Sequence, residues 1–490
     1  MNAIDNRAPE SRLVREIWAG LGPDQQPAPS VAFTGTQRLL TSVYDVSGFA
    51  AACVGAASAA VSAHWGLVRS SSAPDVCIDR AHVAAAFQSE RLYRLLDSER
   101  PALWDPVAGN YSTRDGFIRL HTNYEHHRVA ALKVLGVAAD RSAVSGAVSR
   151  WSSDDLERAI VAAGGCAAAM RSRAAWQAHE QGRAVAAEPL VDVTLGPPCM
   201  SVSAAPPQPE APDRSPVAPP TPLSGLRVLD LTRVLSGPAC TRFLASYGAD
   251  VLRIDPPGFQ DVPAALPDTT VGKRRTRLDL RATGDRARFE ELLADADVLV
   301  VSYRRDALAR LGYDMDDLWA RRPTLIVARV VAYGHTGPWA DRRGYDSLVQ
   351  MSSGIAAQGR RQPEGNHSEV GARSAEGERP VPLPLQALDH GTGYLLAAAV
   401  IRSLSRLAHS GRASEVRLSL ARTAELLCST FDPDGALATG AALDPAPFLE
   451  EASSGFGRIR RVKPLAGIAG MEPAWARPAG PLGSHPPSWT

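Results

Sequence analysis

The stretch that decides the fold is LRVLDLTRVLSGPACTRFLASYGADVLRID, residues 226–255. Two short apolar runs, 228–231 and 251–254, enclose an S-G-P turn and a helix-like segment. A strand, a turn, a helix and a second strand in this order predict two parallel strands joined by a crossover helix.

Residues beyond this stretch extend the pattern. Apolar runs at 298–301 and 325–331 alternate with helical segments such as 286–293. The second half of the chain is therefore predicted to be an α/β domain with a parallel sheet. Its first turn lacks the G-x-G-x-x-G fingerprint, so binding of NAD or FAD and hydride transfer are not expected.

Composition excludes several classes of protein. The chain has 490 residues, 45% of them hydrophobic, and its 53 basic and 52 acidic side chains leave a net charge of +1. Neither nucleic acid nor a membrane surface is expected as a partner. The six cysteines form no C-x-x-C pair, so we expect neither a metal site nor a disulfide framework. A cytoplasmic location fits this pattern.

The N-terminus has no basic start followed by an apolar core, so a signal peptide is not expected. The most apolar stretch, 48–63, consists mainly of small residues and is predicted to be a packed helix and not a membrane span.

Proline content divides the chain. Residues 197–222 are so rich in proline that an extended tether is predicted. We therefore expect one unit at 30–196 and another at 223–490. A stretch with few apolar residues, 359–384, is predicted to be an exposed loop, and a lid is one of the roles open to it.

Asp389 stands in LQALDHGTGYLLA, residues 385–397, at the predicted start of an Ala-rich helix. Aspartate is among the best helix caps, so a purely structural role is one interpretation. A carboxylate in this position is also a candidate nucleophile, and the two roles are compatible.

Four motifs carry a resemblance to a known family. They are the stretch 226–255, DVLVVSYR at 297–304, YGHTGP at 333–338 and GYDSLVQ at 344–350. In this order they resemble the family III CoA-transferases, so the resemblance implies a parallel-sheet, Rossmann-like CoA-binding domain plus a smaller α+β domain. Segments at 115–123, 151–157 and 163–172 resemble the small domain of that family, and 462–466 and 481–485 resemble its returning C-terminal segment.

The resemblance implies a reaction. CoA moves between an acyl-CoA thioester and a carboxylic acid, and Asp389 falls on the family's covalent nucleophile. The backbone N–H groups of Gly391 and Gly393 are expected to stabilise the oxyanion from the helix start. No metal and no permanently bound cofactor is implied, because CoA and acyl-CoA are substrates.

CoA carries several phosphate charges, so cationic side chains should line its site. The cationic candidates coincide with motif positions of the family: Lys273, Arg274, Arg275, Arg304, Arg310 and Arg343. Tyr345, in the GYDSLVQ motif, is a further candidate for the CoA site. A solvated surface side chain is the alternative for each arginine.

The arrangement departs from the family. The first part lacks the opening strand–turn–helix block, and the second lacks most of the small domain. Asp45 before one Ala-rich helix and Asp389 before another indicate a diverged internal repeat. We therefore predict an intrachain pseudo-dimer, which also allows a homodimer of whole chains. Leu235 stands where formyl-CoA transferases have a glutamine near the substrate, which favours a bulkier, less polar acid than oxalate. Pro256 stands where they have an arginine, so contacts to the adenine side of CoA are not predicted.

Other interpretations remain open. Asp45 is a rival nucleophile, although a helix cap is the expected role. His126 and His127 are expected to be surface or packing residues. An α-methylacyl-CoA racemase has a histidine where this chain has Tyr345, and a phenol is a poor base at neutral pH. A silent CoA-binding protein is the third alternative.

Overall fold

The computed structural model describes residues 9–22, 27–198, 221–304, 306–359, 379–431 and 442–489. Most of the predicted tether at 197–222 and most of the predicted loop at 359–384 lie outside these residues.

The chain begins with helices around one pair of parallel strands, β1 and β2, in which Val31 is paired with Val76. A long Ala-rich helix, α2, connects the two strands, and Asp45 caps it by accepting a hydrogen bond from the N–H of Gly48. The elements are α1 (Pro9–Gly20), β1 (Val31–Thr34), α2 (Val46–Val68), β2 (Val76–Asp79), α3 (Arg80–Ala86), α4 (Ser89–Leu92) and β3 (Arg94–Leu95).

A small α+β unit follows, as the sequence predicts. Its antiparallel sheet, in the order β4-β5-β6, packs against three helices through buried apolar residues such as Ile118, Val144 and Leu156. Asp140 and Ser152 cap two of the helices. The elements are β4 (Gly109–Ser112), β5 (Phe117–Leu120), α5 (Glu125–Leu135), α6 (Arg141–Val148), α7 (Ser153–Ala162) and β6 (Ala167–Ala169).

The first part ends with α8 (Arg173–Ala178), α9 (Glu180–Ala187) and β7 (Asp192–Pro198). Pro197 and Pro198 belong to this strand, whereas the sequence predicted a tether from residue 197 onward. β7 is the last strand of its sheet, and proline is tolerated at an edge because a missing N–H there breaks no interior ladder.

The second part supplies the main sheet and the helices that cover it. Its strands are β8 (Arg227–Leu231), β9 (Asp250–Asp255), β10 (Lys273–Arg277), β11 (Val298–Val301), β12 (Ile326–Val331), β13 (Arg412–Ser419), β14 (Leu449–Ser454) and β15 (Gly457–Val462). Its helices are α10 (Ser236–Ser246), α11 (Leu266–Thr269), α12 (Thr283–Ala294), α13 (Met315–Arg321), α14 (Asp346–Ser352), α15 (Ile355–Gln358), α16 (Ala387–Ser410) and α17 (Leu420–Cys428).

The main sheet has seven strands in the order β10-β9-β8-β11-β12-β13-β7. The first six are parallel, which confirms the predicted α/β class, and β7 from the first part pairs antiparallel with β13. In chain order the parallel strands are arranged 3-2-1-4-5-6, with the reversal between β8 and β11. In such sheets the crevice outside the carboxyl ends of the strands at the reversal is the usual binding site.

Two Ala-rich helices join the parts. α2 packs along α16, and the buried alanines of both helices allow a close approach. By length and composition alone α2 could cross a membrane, but 94% of its apolar window is buried inside the fold. The stretch predicted to be a packed helix therefore belongs to a helix that runs from Val46 to Val68.

The end of the chain also connects the two parts. β15 pairs with β14 and with β3 of the first part. Beyond it, the carbonyl oxygen of Arg275 in β10 accepts a hydrogen bond from the N–H of His485 at 2.8 Å. The C-terminal segment thus returns to the free edge of the main sheet.

Candidate active site

A cleft of about 620 Å³ opens at the carboxyl edge of the main sheet, where the strand order reverses. The loops after β8, β9, β11 and β12 line it, and the start of α5 from the first part closes one side. Both parts therefore contribute to one site.

Asp389 lies in the cleft as the third residue of α16. Only 7% of the residue is exposed. Burial raises the pKa of its carboxyl well above the usual range, and the nearby carboxylates of Asp346 and Glu90 raise it further. A carboxylate made basic in this way is a stronger nucleophile once it is ionised.

The cap of α16 is Asp346, from the start of α14. Its Oδ2 accepts hydrogen bonds from the N–H of Leu388 at 2.8 Å and of Asp389 at 3.0 Å. Gln350 donates to the other oxygen, Oδ1. Burial raises the pKa of Asp346 to about 6, although these hydrogen bonds act to lower it. Asp389 is therefore not the helix cap that its sequence position indicated, and its side chain is left available to the cleft.

Glu90 of α4 lies close enough to Asp389 to raise the pKa of its carboxyl. Its Oε2 is 3.0 Å from Nε2 of His390, the residue after Asp389. Burial acts to raise the pKa of Glu90, but His390, Arg91 and a backbone hydrogen bond together outweigh this effect, so the pKa lies below its usual range. The first part thus places a carboxylate close to Asp389.

The structure corrects the expectation for Gly391 and Gly393. Because α16 begins at Ala387, these residues lie beyond the first helical residues, whose N–H groups lack intrahelical partners. A Cβ at Gly391 would lie 2.5 Å from Cζ of Phe49, and one at Gly393 would lie 2.6 Å from the carbonyl oxygen of Ser236. The glycines allow α16 to pack closely against α2 and α10, and they do not present donors to an oxyanion.

Lys273, Arg274 and Arg275 also differ from the prediction. Nζ of Lys273 is 3.0 Å from Oδ2 of Asp230, and both side chains are fully buried. Arg274 pairs with Asp250 at 2.5 Å, and Arg275 donates to carbonyl oxygens that include that of Pro478 at 2.9 Å. All three already have protein partners and lie outside the cleft lining, so they hold the sheet and the returning segment and not a CoA phosphate.

The other predicted residues do lie in the cleft. Arg304, Arg310 and Arg343 are exposed along its lining. Arg343 also donates to the carbonyl oxygen of Gly164 at 3.3 Å, which connects it to the small α+β unit. Together they give the mouth of the cleft a positive charge suited to phosphates.

Tyr345 lines the cleft within an aromatic cluster. Its ring stacks on His121 with centroids 3.7 Å apart and an interplanar angle of 4°. His127 and Tyr124 lie beside it, with centroid distances of 5.9 Å and 6.3 Å. Burial, and then His126 and Arg343, lower the pKa of His127 to about 3. His126 and His127 were expected on the surface or in packing, yet both line the cleft.

Sequence reasoning missed Arg233, which follows β8 directly. Its guanidinium lies over the ring of Phe259 at 3.7 Å and near that of Tyr303 at 4.9 Å. The next residue, Val234, has a φ of 63°, a strained conformation for a β-branched residue. A basic residue at the carboxyl end of the first strand was the available signal.

Asp45, the rival nucleophile, does not line this cleft. Its Oδ1 accepts from the N–H of Gly48 at 2.8 Å, as expected of a helix cap. Across the described ranges, no group of three His, Cys, Asp or Glu side chains is placed to hold a metal ion.

Residues 223–446 match the family model for CoA-transferase family III. The acetyl-coenzyme A transferase nodX of Hypoxylon pulicicidum is 33% identical over 210 residues, which cover 42% of this chain and 33% of the relative. The succinate–glutarate CoA-transferase of Agrobacterium fabrum is 32% identical over 230 residues, which cover 43% of this chain and 52% of the relative. The probable fatty acyl-CoA transferase Rv3272 of Mycobacterium tuberculosis is 31% identical over 215 residues, which cover 41% and 51%.

A crystal structure of Rv3272 matches with 30% identity and a TM-score of 0.38. The match covers 43% of this chain and 57% of the Rv3272 chain. This chain spans between a third and about half of the length of the curated relatives it matches.

Proposed function

We propose, from the match of residues 223–446 to the model of CoA-transferase family III, that the protein moves CoA between an acyl-CoA thioester and a carboxylic acid. Asp389 is the covalent nucleophile in this proposal. The observation that carries it is a buried carboxyl in a cleft whose mouth carries exposed arginines, at the reversal point of a parallel sheet.

The first half of the reaction forms an enzyme-bound thioester. A carboxylate oxygen of Asp389 attacks the carbonyl carbon of the donor, the C–S bond breaks, and CoA leaves as a thiolate. The product is a mixed anhydride that keeps the acyl activation. The thiolate then attacks the aspartyl carbonyl of this anhydride, and the donor acid leaves as a carboxylate.

The second half reverses these steps with the acceptor. Its carboxylate attacks the aspartyl-CoA carbonyl and releases the thiolate, which then attacks the acceptor carbonyl of the new anhydride. Asp389 returns as a carboxylate, and a new acyl-CoA leaves. No oxidant or reductant is consumed.

The residues of the cleft have separate tasks in this scheme. Arg304, Arg310 and Arg343 are proposed to bind the phosphates of CoA, which are anions suited to guanidinium groups. The rings of Tyr124 and Tyr345, which both line the cleft, present flat apolar surface to the acyl group. This supports an acid that is bulkier and less polar than oxalate.

Trapping of the intermediate tests the proposal. The protein is incubated with acetyl-CoA, hydroxylamine is added, and peptides are analysed by mass spectrometry for a hydroxamate at Asp389. Asp389→Asn should abolish the modification. Asp45→Asn is the matched control, because it changes the corresponding residue before α2 and should leave the modification intact.

Binding of CoA with no modification at Asp389 in the unaltered protein would refute the transferase proposal and favour a silent CoA-binding protein. Equal losses of CoA-transfer activity in Asp389→Asn and Asp45→Asn, with folding unchanged, would mean that both aspartates act as nucleophiles.

His127 favours a second candidate, the interconversion of α-methylacyl-CoA epimers. This histidine lies in the same cleft as Asp389. Its pKa of about 3 keeps the imidazole neutral but makes it a weak base, so the reaction would require substrate binding to raise this pKa. Tyr345 replaces the family histidine in the sequence, so the first part would supply the second base. Exchange of the α-proton of 2-methylacyl-CoA in deuterium oxide, without CoA transfer, would establish this reaction instead.

A further inference from the structure

Transfer of an acyl group requires donors for the oxyanion of the tetrahedral intermediate. The first turn of α16 does not supply them, because Asp346 accepts from the N–H groups of Leu388 and Asp389. Gly391 and Gly393 are enclosed by neighbouring helices. The donors must therefore come from another element of the cleft.

The start of α10 lies beside the nucleophile. Asp389 and Gly393 are four residues apart and share one face of α16. On that face, a Cβ at Gly393 would lie 2.6 Å from the carbonyl oxygen of Ser236. Ser236 and Gly237 are the first two residues of α10, and both line the cleft together with Asp389.

Ser236 has a hydroxyl without a partner. The residue is 7% exposed, and its Oγ is buried with no hydrogen-bond partner in the described structure. A buried unpaired hydroxyl costs about 1–3 kcal/mol. Rotation about one side-chain bond lets this hydroxyl turn between staggered positions, and a substrate oxygen in the cleft would give it the missing acceptor.

Buried contacts fix the first turn of α10 in place. Lys273 donates to the carbonyl oxygen of Pro238 at 3.2 Å as well as pairing with Asp230. Thr241 of the same helix donates to Oδ2 of Asp230 at 2.6 Å. This buried cluster gives Lys273 a positioning role, and the N-terminus of an 11-residue helix adds positive potential.

From these observations we infer that the start of α10 is the oxyanion site, with the Ser236 hydroxyl and the Gly237 N–H as donors to the thioester carbonyl oxygen. The inference rests on the proposed transferase function. As Asp389 attacks, the electron pair of the C=O bond moves to oxygen, and Ser236 donates a hydrogen bond without transferring its proton. When the C–S bond breaks, the C=O bond re-forms and the thiolate carries the charge away.

The test compares Ser236→Ala with Ser353→Ala. Ser353 is also a buried serine whose Oγ has no partner, but it does not line the cleft. Ser236→Ala should slow formation of the Asp389 hydroxamate by about a hundred- to a thousandfold, as expected for loss of one oxyanion donor. The affinity for CoA should be unchanged in both variants, and Ser353→Ala should react at the original rate.

A second measurement does not depend on turnover. Acetonyl-CoA, a ketone analogue that has no cleavable C–S bond at its carbonyl, is bound to each protein, and its C=O stretch is recorded by infrared difference spectroscopy. A hydrogen bond from Ser236 lowers this frequency, so Ser236→Ala should raise it toward the value in water-free solvent. An unchanged frequency, or an unchanged trapping rate, would overturn the inference. Absence of trapping in the unaltered protein together with a frequency shift in Ser236→Ala would refute the transferase function alone.

Discussion

Asp389→Asn should stabilise the protein at alkaline pH. In the folded protein this carboxyl is buried and lies near two further acidic groups, Asp346 and Glu90. Its pKa therefore lies well above the value of about 3.9 for an aspartate in an unfolded chain. A raised pKa means that the folded state binds the proton more tightly than the unfolded state does. The stability that the protonated carboxyl contributes is complete below the unfolded pKa and is lost as the pH rises through the folded pKa.

The expected size follows from the burial of the group. An ionised carboxyl that is buried without a cationic partner costs several kcal/mol. Asparagine has nearly the same shape and no charge, so the variant should gain on the order of 3 kcal/mol in unfolding free energy at pH 8 relative to pH 4.

Urea unfolding followed by tryptophan fluorescence at both pH values measures the difference between the two proteins. The variant should be more stable than the original protein at pH 8 and about equal to it at pH 4. If the difference in stability is the same at both pH values, the fold does not raise the pKa of the Asp389 carboxyl, and the electrostatic reasoning is wrong.

Three further predictions concern the surroundings of Asp389. Asp346→Ala leaves two backbone N–H groups without an acceptor, at a cost of about 2 kcal/mol. Hydrogen exchange of the amides of residues 387–390, measured by mass spectrometry, should therefore accelerate roughly thirtyfold. An unchanged exchange rate would mean that Asp346 is not needed to hold the start of α16. Arg310→Ala should weaken CoA binding roughly tenfold in calorimetry. Arg274→Ala should lower the melting temperature and leave the affinity for CoA unchanged, because Arg274 pairs with Asp250. The reverse pattern would support the expectation from the sequence that Arg274 binds a CoA phosphate. Gly391→Ala should destabilise the protein by about 1–3 kcal/mol in urea unfolding, because the added Cβ would clash with the ring of Phe49. Adding Phe49→Leu to this variant should restore part of the lost stability. If the two substitutions instead destabilise the protein additively, the clash with Phe49 is not the cause.

Sequence periodicity predicted the parallel strands and the position of Asp389, because both are local patterns. Alternation of apolar strands and helices is sufficient for β8, β9, β11 and β12, and residues 226–255 contain one complete crossover unit. It does not reveal β10, whose sequence KRRTR is charged and not apolar. The order of the strands in the sheet is not a local property. For this reason the sequence indicated a CoA-binding domain but not that a strand from the first part would complete its edge.

The roles of charged residues were predicted less well, because they depend on partners that are distant in sequence. Lys273 is buried only because Asp230 lies opposite it, 43 positions earlier in the chain. Asp389 does not cap α16, because Asp346, also 43 positions away, accepts a hydrogen bond from the N–H of Asp389. A helix cap and a candidate nucleophile have the same local sequence, and only the packing of α14 against the start of α16 shows that Asp389 is not the cap.

The burial of α2 against α16 has a consequence for synthesis on the ribosome. Roughly 320 residues separate the end of α2 from the start of its partner helix. At about 5–20 residues per second, α2 emerges roughly 15 to 65 seconds before the surface that covers it exists. During this interval a helix with membrane-like hydropathy is exposed to water, so nascent chains that end before residue 387 should aggregate or be retained by a chaperone.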